Sequence, residues 1–552
     1  MRKSGILLPV FSLPSRYGQG KFSNEAKEFI LKLKAAGQSY WQILPLHPVD
    51  TANSPYKPIS CFAGETGFID PDALCAQGLI TQEELDDAAA RYAETRETPV
   101  DRVDYKCARA ILDPLMRDAY RRFVTGLTGA LRNKAVPADA EAAEKAASAK
   151  ETLASFWGFC EANAGWLDDY ALFSALDDKY GDSDWTKWDD PVKRRDPETL
   201  QALKKELSGE IDYRKWLQYE FSLQWDELRS FAHENGIEII GDLPIYASLE
   251  SAECWAHPEL FKLNEDFVPT EVAGCPPDAF SADGQLWGNP LYRWEDAKDQ
   301  VFAWWKARID RTFSLFDKVR IDHFRGFESY FSIPAETGKP LDGHWNKGPG
   351  IEFFNFVTPG YEGKFIAEDL GYLTDDVYAL VAATGFPGMK ILQFAFNNGW
   401  DNYYLPHYYG NNCVVYTGTH DNDTVRGWFR TANDWERWFC MDYIRGYFRD
   451  HDEYHPVGEL AKAEQPAGVF VSQYIDAEIN EDNIADALIR LAAISPAETC
   501  IFPLQDVLAY GPDTRINVPA IAVGNWAWQM MPGAFTYEDA ERLCEITKRA
   551  GR

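Results

Sequence analysis

Val319-Arg320-Ile321-Asp322-His323-Phe324 interleaves apolar residues with charged ones. In an extended strand alternate side chains share a face, so Arg320 and Asp322 point the same way. Short apolar runs of similar length lie at 5–10, 40–46, 237–245, 365–370, 389–396, 414–417 and 499–504. Most are followed by helix-like sequence. Runs of this kind read as parallel strands buried on both faces. With 319–324 the total is eight, which predicts a closed (β/α)8 barrel. Arg320 and Asp322 then face into it. A doubly wound open sheet is the competing arrangement, but Gly18-Gln-Gly20-Lys-Phe-Ser23 lacks the third glycine of a dinucleotide fingerprint.

Working outward, residues 23–36 carry helical periodicity, with Ser23 or Asn24 as cap and Gly37 as stop. From 79 to 210 the texture changes to Ala, Glu, Asp, Lys and Arg, with long helical windows at 104–132 and 138–159; a further window runs over 212–235. The chain therefore reads as one catalytic (β/α)8 domain over 1–552. It carries a helical insertion at 79–210 and a loop-and-helix insertion at 247–300 over the active-site rim. Trp157, Trp166, Trp185 and Trp188 in the helical insertion are expected to pack rather than bind a ligand.

The chain has 552 residues, and 45% hydrophobic with 26% charged residues suffices for a large core. A net charge of −31 repels nucleic acid and anionic membrane surfaces. No run reaches about 18 apolar residues, so no membrane span is expected. Pro9 and Pro14 break the apolar start, which argues against a signal peptide. Ten cysteines form no CxxC pair. A cytoplasmic, reduced protein without metal or cofactor is the expectation. The 27 Tyr, 33 Phe and 19 Trp suit a core. On an acidic chain they also suit sugars, whose apolar ring faces stack on aromatics while carboxylates take the hydroxyls.

Acids recur where the strands end: Asp242, Asp322, Glu368, Asp421 beside His420, and Asp506. In a barrel the strand C-termini converge on one rim, where active sites are built. A guanidinium beside Asp322 favours the ionised form, which suits a nucleophile. An apolar strand before Glu368 raises its pKa, which suits a general acid. Taken singly, an R-x-D is more often a structural ion pair, and a Glu before Asp-Leu-Gly more often caps or packs. Three acids on three strands of one rim, with a histidine beside the third, carry more weight than any one. The pair His451 and His455 is not HExxH and precedes Pro456, so it reads as no metal site.

At these residues the chain resembles the 4-α-glucanotransferases of the amylomaltase or disproportionating-enzyme family, in the α-amylase superfamily. The matching pieces run in order: Ser54-Pro55-Tyr56, Gly241-Asp242-Leu243-Pro244-Ile245-Tyr246, 273–281, 284–290, 319–327, 367–371, 418–424, 515–519 and 524–526. The resemblance implies a barrel without the C-terminal β-sandwich common in amylases. It also implies transfer of α-1,4-glucan segments with anomeric retention, with maltooligosaccharides and α-1,4-glucans as partners. By the same resemblance Asp322 is the nucleophile, Glu368 the acid/base and Asp421 the transition-state stabiliser. Substrate-binding positions are Tyr56, Asp242, Asp278, Gln285, Trp287, Arg320, His420 and Asn517. The stretch 274–283 falls on a loop overhanging the cleft. Glu65, Glu250 and Gln529 depart from the family's usual residues on the acceptor side and in loops.

A retaining double displacement calls for carboxyls roughly 5–5.5 Å apart. Two other functions remain open at this stage. One is an α-glucan hydrolase on the same scaffold, and the other a glucan-binding protein without catalysis. Oligomeric state is not legible.

Overall fold

The computed structural model describes residues 2–132, 140–277, 283–371, 373–454, 478–519, 521 and 523–552. Among the described residues twelve strands are formed: β1 (Lys3–Leu7), β2 (Tyr40–Gln42), β3 (Glu238–Leu243), β4 (Glu271–Cys275), β5 (Gln285–Pro290), β6 (Lys318–Ile321), β7 (Ser329–Pro334), β8 (His344–Lys347), β9 (Phe365–Ala367), β10 (Gly388–Ile391), β11 (Cys413–Tyr416) and β12 (Thr499–Pro503). Eight of them close a barrel in the order β1-β12-β11-β10-β9-β6-β3-β2. Neighbours are parallel throughout. These eight are the eight apolar runs of the sequence. Their apolar character follows from the architecture, since side chains fill the barrel on one face and helices cover the other.

The remaining four strands make an antiparallel sheet, β5-β4-β7-β8. This corrects the expectation of loops and helices across 247–300, where β4 and β5 both lie. Their sequences, Glu-Val-Ala-Gly-Cys and Gln-Leu-Trp-Gly-Asn-Pro, contain glycine and lack a clean apolar alternation. β4 is held extended by pairing with β7 on one side and β5 on the other. The sheet is fed by the segments after β3 and after β6, so it stands beside the rim where those strands end. Ladder pairs Cys275↔Gln285 and Gly274↔Leu286 tie the base of the 276–284 segment.

Between β2 and β3 the chain is helical, with Gln82–Thr95, Tyr105–Arg132, Ala140–Ala162, Ala164–Tyr180, Pro197–Glu206 and the 27-residue helix Ser208–Glu234. Trp185 and Trp188 are buried as packing residues, whereas Trp157 is half exposed. Leu85, Ile111, Phe156 and Trp216 belong to the same contiguous core as Ile6, Ile240 and Val415 of the barrel. Two glutamine amides dock the segment after β2 on the long helix. Gln218 exchanges bonds of 2.7 and 2.8 Å with the Gly64 backbone, and Gln224 bonds of 2.7 and 3.3 Å with that of Asp70. Each amide satisfies one buried N–H and one buried C=O, which otherwise cost stability.

Gly5 sits where β1 meets both neighbours, opposite Tyr40 and Ile501. A Cβ there would fall 2.5 Å from Tyr40 Cβ and 2.6 Å from the Tyr40 carbonyl oxygen. Backbone cannot rotate away as a side chain can, so Gly5→Ala is expected to destabilise the fold by about 1–3 kcal/mol. A urea unfolding curve superimposable on the parent's would contradict this packing account.

Candidate active site

β6 ends at Ile321 and its neighbour β9 at Ala367, so Asp322 and Glu368 are the first residues beyond two paired strands. Backbone bonds continue past the strand ends, from Glu368 N–H to the Ile321 carbonyl (3.1 Å) and from Phe324 N–H to the Glu368 carbonyl (3.2 Å). Between them His323 takes a left-handed conformation, with φ +49°. That turn aims the His323 N–H at Glu368 Oε2, 2.7 Å away, while Leu370 N–H reaches Oε1 at 3.2 Å. Left-handed backbone is uncommon outside glycine and costs energy, and histidine is among the residues that tolerate it better. No pattern in the sequence signals this link between the two acids.

Arg320 reaches from β6 to two carboxylates. One guanidinium nitrogen lies 2.8 and 2.7 Å from the oxygens of Asp242 on β3 and 2.9 Å from Asp322 Oδ1. Arg320 is 4% exposed, Asp242 0% and Asp322 27%, so only Asp322 faces the open side. Asp242 also accepts from the Tyr56 hydroxyl at 2.7 Å. Its oxygens are thus engaged by Arg320 and Tyr56. Asp242 thereby anchors those two side chains. Tyr56 in turn stacks on His420, with centroids 5.3 Å apart and planes 9° apart, and Trp526 leans on both.

Asp421 follows β11 and is held from the other side. Asn517 Nδ2 donates to its Oδ1 at 2.6 Å, and Arg515 donates to its carbonyl. The Asn517 N–H also binds the His420 carbonyl at 3.1 Å. Asn517, expected among the sugar contacts, is thus bonded to both Asp421 and the His420 backbone. His420 Nε2 lies 3.4 Å from Asp421 Oδ2. Burial lowers the pKa of His420, which keeps the ring neutral.

Trp287 and Gln285 share one face of β5, and Trp287 Nε1 donates to Gln285 Oε1 at 3.1 Å. Trp287 meets the His323 ring edge-on at 4.8 Å, so the side sheet reaches the residue next to Asp322. Asp278 lies outside the described residues, as does His455. Two of the strand-end acids serve structure: Asp506 accepts from Thr417 Oγ1 and the Val425 N–H, and Asp369 from the Met389 N–H. Gln529 donates to the buried Leu13 and Gly18 carbonyls. Among the described residues no group of three or more His, Cys, Asp or Glu side chains is placed to hold a metal ion.

Burial pushes the carboxyls of Asp322 and Glu368 well above the ordinary range, and Arg320 opposes both shifts; the charges of Asp242 and Asp421 add to the rise at Asp322, that of Asp322 adds to the rise at Glu368, and the His323 N–H pulls Glu368 back. Arg320 gives its hydrogen bonds to Asp242 and Asp322. The guanidinium beside Asp322 thus favours the ionised form of that carboxyl. A protonated acid and an ionised carboxylate on neighbouring strands can donate a proton and attack an electrophilic carbon in one step.

The family profile described as 4-alpha-glucanotransferase matches residues 8–534. The 4-alpha-glucanotransferase of Thermus thermophilus is 40% identical, covering 99% of each chain. That of Clostridium butyricum is 37% identical over 98% of this chain and 99% of its own. The solved structure of Streptococcus agalactiae amylomaltase in complex with acarbose superposes with a TM-score of 0.84 at 33% identity, over the whole of both chains.

Removing the charge of Asp242 would leave Arg320 buried beside Asp322 alone. Asp242→Asn is expected to cost about 3 kcal/mol, read as a lower urea midpoint with unchanged slope. A midpoint equal to the parent's would show that Asp322 suffices to neutralise the guanidinium.

Proposed function

The chain belongs to the 4-alpha-glucanotransferase family and is an enzyme that transfers glucan segments between oligosaccharides; from this premise we propose that Asp322 is its nucleophile, Glu368 its acid/base and Asp421 its transition-state stabiliser. The observation that carries the assignment is the unequal treatment of two adjacent carboxyls: Asp322 is bonded to Arg320, whereas Glu368 is buried against backbone N–H groups. α-1,4-Linked maltooligosaccharides are the proposed donors and acceptors.

Retention requires two displacements. Glu368 gives its proton to the glycosidic oxygen as Asp322 attacks the anomeric carbon. The C–O bond to the leaving chain breaks and a covalent glucosyl–Asp322 ester forms. Glu368, now ionised, takes the proton of an incoming sugar 4-hydroxyl, whose oxygen displaces Asp322. Arg320 disperses the charge on Asp322 as it is released. Asp421, fixed by Asn517, and neutral His420 bind the hydroxyls of the reacting ring, contacts that count most as the ring flattens. Tyr56, Gln285 and Trp287 supply contacts for the flanking glucose units. Transfer prevails over hydrolysis when a bound acceptor occupies the place that water would otherwise take.

Incubation with maltotriose alone is expected to yield glucose and a ladder of longer maltooligosaccharides, resolved by product sizing. Steadily rising reducing ends with no product longer than the substrate would instead make the enzyme a hydrolase.

Because Glu368 must be protonated for the first step, kcat/KM should fall as pH rises through its elevated pKa. The alkaline limb then lies well above the ordinary glutamate range. Glu368→Gln should lower turnover of maltooligosaccharides by about 10²–10⁴-fold. On a glucosyl donor with an acidic leaving group its first step should be much less impaired and free of that alkaline limb. A limb that persists in Glu368→Gln would assign it to another group.

A further inference from the structure

Exposed aromatic rings gather on one segment outside the rim. Trp400, Tyr403 and Tyr408 are 55%, 71% and 44% exposed, and Trp435 on the helix Asp434–Tyr454 is 45% exposed. The rings run in series: Tyr403 to Tyr408 at 5.3 Å, Tyr408 to His407 at 4.2 Å and His407 to Trp400 at 6.4 Å. Trp400 and Trp435 both meet Phe439, the first edge-on and the second stacked. Contiguous exposed aromatic surface marks a binding site more often than an accident of folding.

The segment is pinned. Asn402 Nδ2 donates to the Phe394 carbonyl at 2.7 Å and to Asn397 Oδ1 at 3.1 Å. The Tyr409 hydroxyl donates to the Tyr404 carbonyl at 2.6 Å, and the His407 N–H to the Tyr443 hydroxyl at 3.3 Å. The rings are therefore presented in fixed positions, which spares a ligand the entropy of ordering them. The same segment carries the exposed polar residues Asn397, Asn398 and Asp401. Flat rings accompanied by amide and carboxylate groups suit a neutral chain of sugar rings with apolar faces and hydroxyl edges.

The same segment leads inward. Tyr404 meets Phe394, just beyond β10, edge-on at 5.7 Å. Burial raises the pKa of the Tyr404 hydroxyl, and the charges of Asp369 and Glu368 add to the shift, which places it within electrostatic reach of Glu368. The loop that carries the exposed rings thus leaves β10, the barrel neighbour of β9, just beyond which the proposed acid/base stands.

We propose that Trp400, Tyr403 and Tyr408 form a docking platform for the distal part of a long α-1,4-glucan whose reacting bond lies at Asp322 and Glu368. The proposal rests on the glucan-transfer reading of the site and adds a second place where the same chain is held. A short donor ends before the platform and gains nothing from it.

The test compares soluble amylose with maltotriose, using the full-length enzyme and the triple variant Trp400→Ala, Tyr403→Ala, Tyr408→Ala. KM for amylose should rise about tenfold, while kcat and KM for maltotriose stay within about twofold. Retardation of the enzyme in native gels containing amylose should be largely lost. If the triple variant fails to fold, Tyr403→Ser replaces it, since this ring is the most exposed of the three, and a smaller change in the same direction is expected. Unchanged retardation and amylose KM would overturn the proposal, as would equal losses on both substrates. So would a dimer in sedimentation that dissociates in the variant without any change in amylose binding, which would make the patch a contact between two copies of this chain. A parent enzyme that retards on amylose but does not disproportionate maltotriose would refute the catalytic assignment and leave the platform standing.

Discussion

The guanidinium of Arg320 stands between two carboxylates, and the site is arranged around it. Asp242 and Asp322 both draw on one positive charge, so the cluster keeps an excess of negative charge in a buried place. Its cost is met by geometry: Asp242 is sealed in with Arg320 and the Tyr56 hydroxyl, while Asp322 keeps an open face. A buried cation with one enclosed and one accessible partner orients the accessible one without surrounding it. Through Asp242 the same cation fixes Tyr56, and through Tyr56 the stacked ring of His420. Residues from the segment after β2, from β3, from β6 and from the segment after β11 thus share one electrostatic anchor.

The second constraint is the left-handed turn at His323. It converts the backbone immediately after Asp322 into a hydrogen-bond donor for Glu368, so the two acids cannot drift apart without losing that bond. Trp287 packs against the ring of the same histidine from the side sheet. That sheet is built from the segments following β3 and β6, and its position follows from where those strands end. Placement of a sugar contact next to the nucleophile is therefore a matter of chain connection as much as of local packing.

Much of the site could be read in the sequence because strands that end in acids are visible as apolar runs followed by Asp or Glu. Asp322 and Glu368 stand one residue past their strands, where the alternation of β6 and the apolar run of β9 place them. Asp506 and Asp369 carry the same signature and yet bind backbone and hydroxyl groups. No local pattern separates them from Glu368, because the difference lies in what the neighbouring strand and loop present to each carboxylate. Asn517 likewise sits in a stretch that matches the family, but its amide spends itself on Asp421. The strands β4 and β5 carry little sequence signal because glycine and an irregular pattern weaken the period of two; β5 pairs with β4, and β4 is held by β7 about sixty residues on.

The sequence by itself determined the eight barrel strands, the acids at their ends and the family, because hydrophobic alternation and ordered motifs are properties of the chain read in one dimension. Tertiary structure alone decided which acids share a cation, which one takes its bonds from backbone N–H groups, and which of the expected site residues bond to one another. Those outcomes depend on distances between residues as far apart as Tyr56 and Asp242, or Asp421 and Asn517. Electrostatic and hydrogen-bond energies turn on a few ångströms of separation and on the water excluded between groups, and neither is encoded in the spacing along a chain.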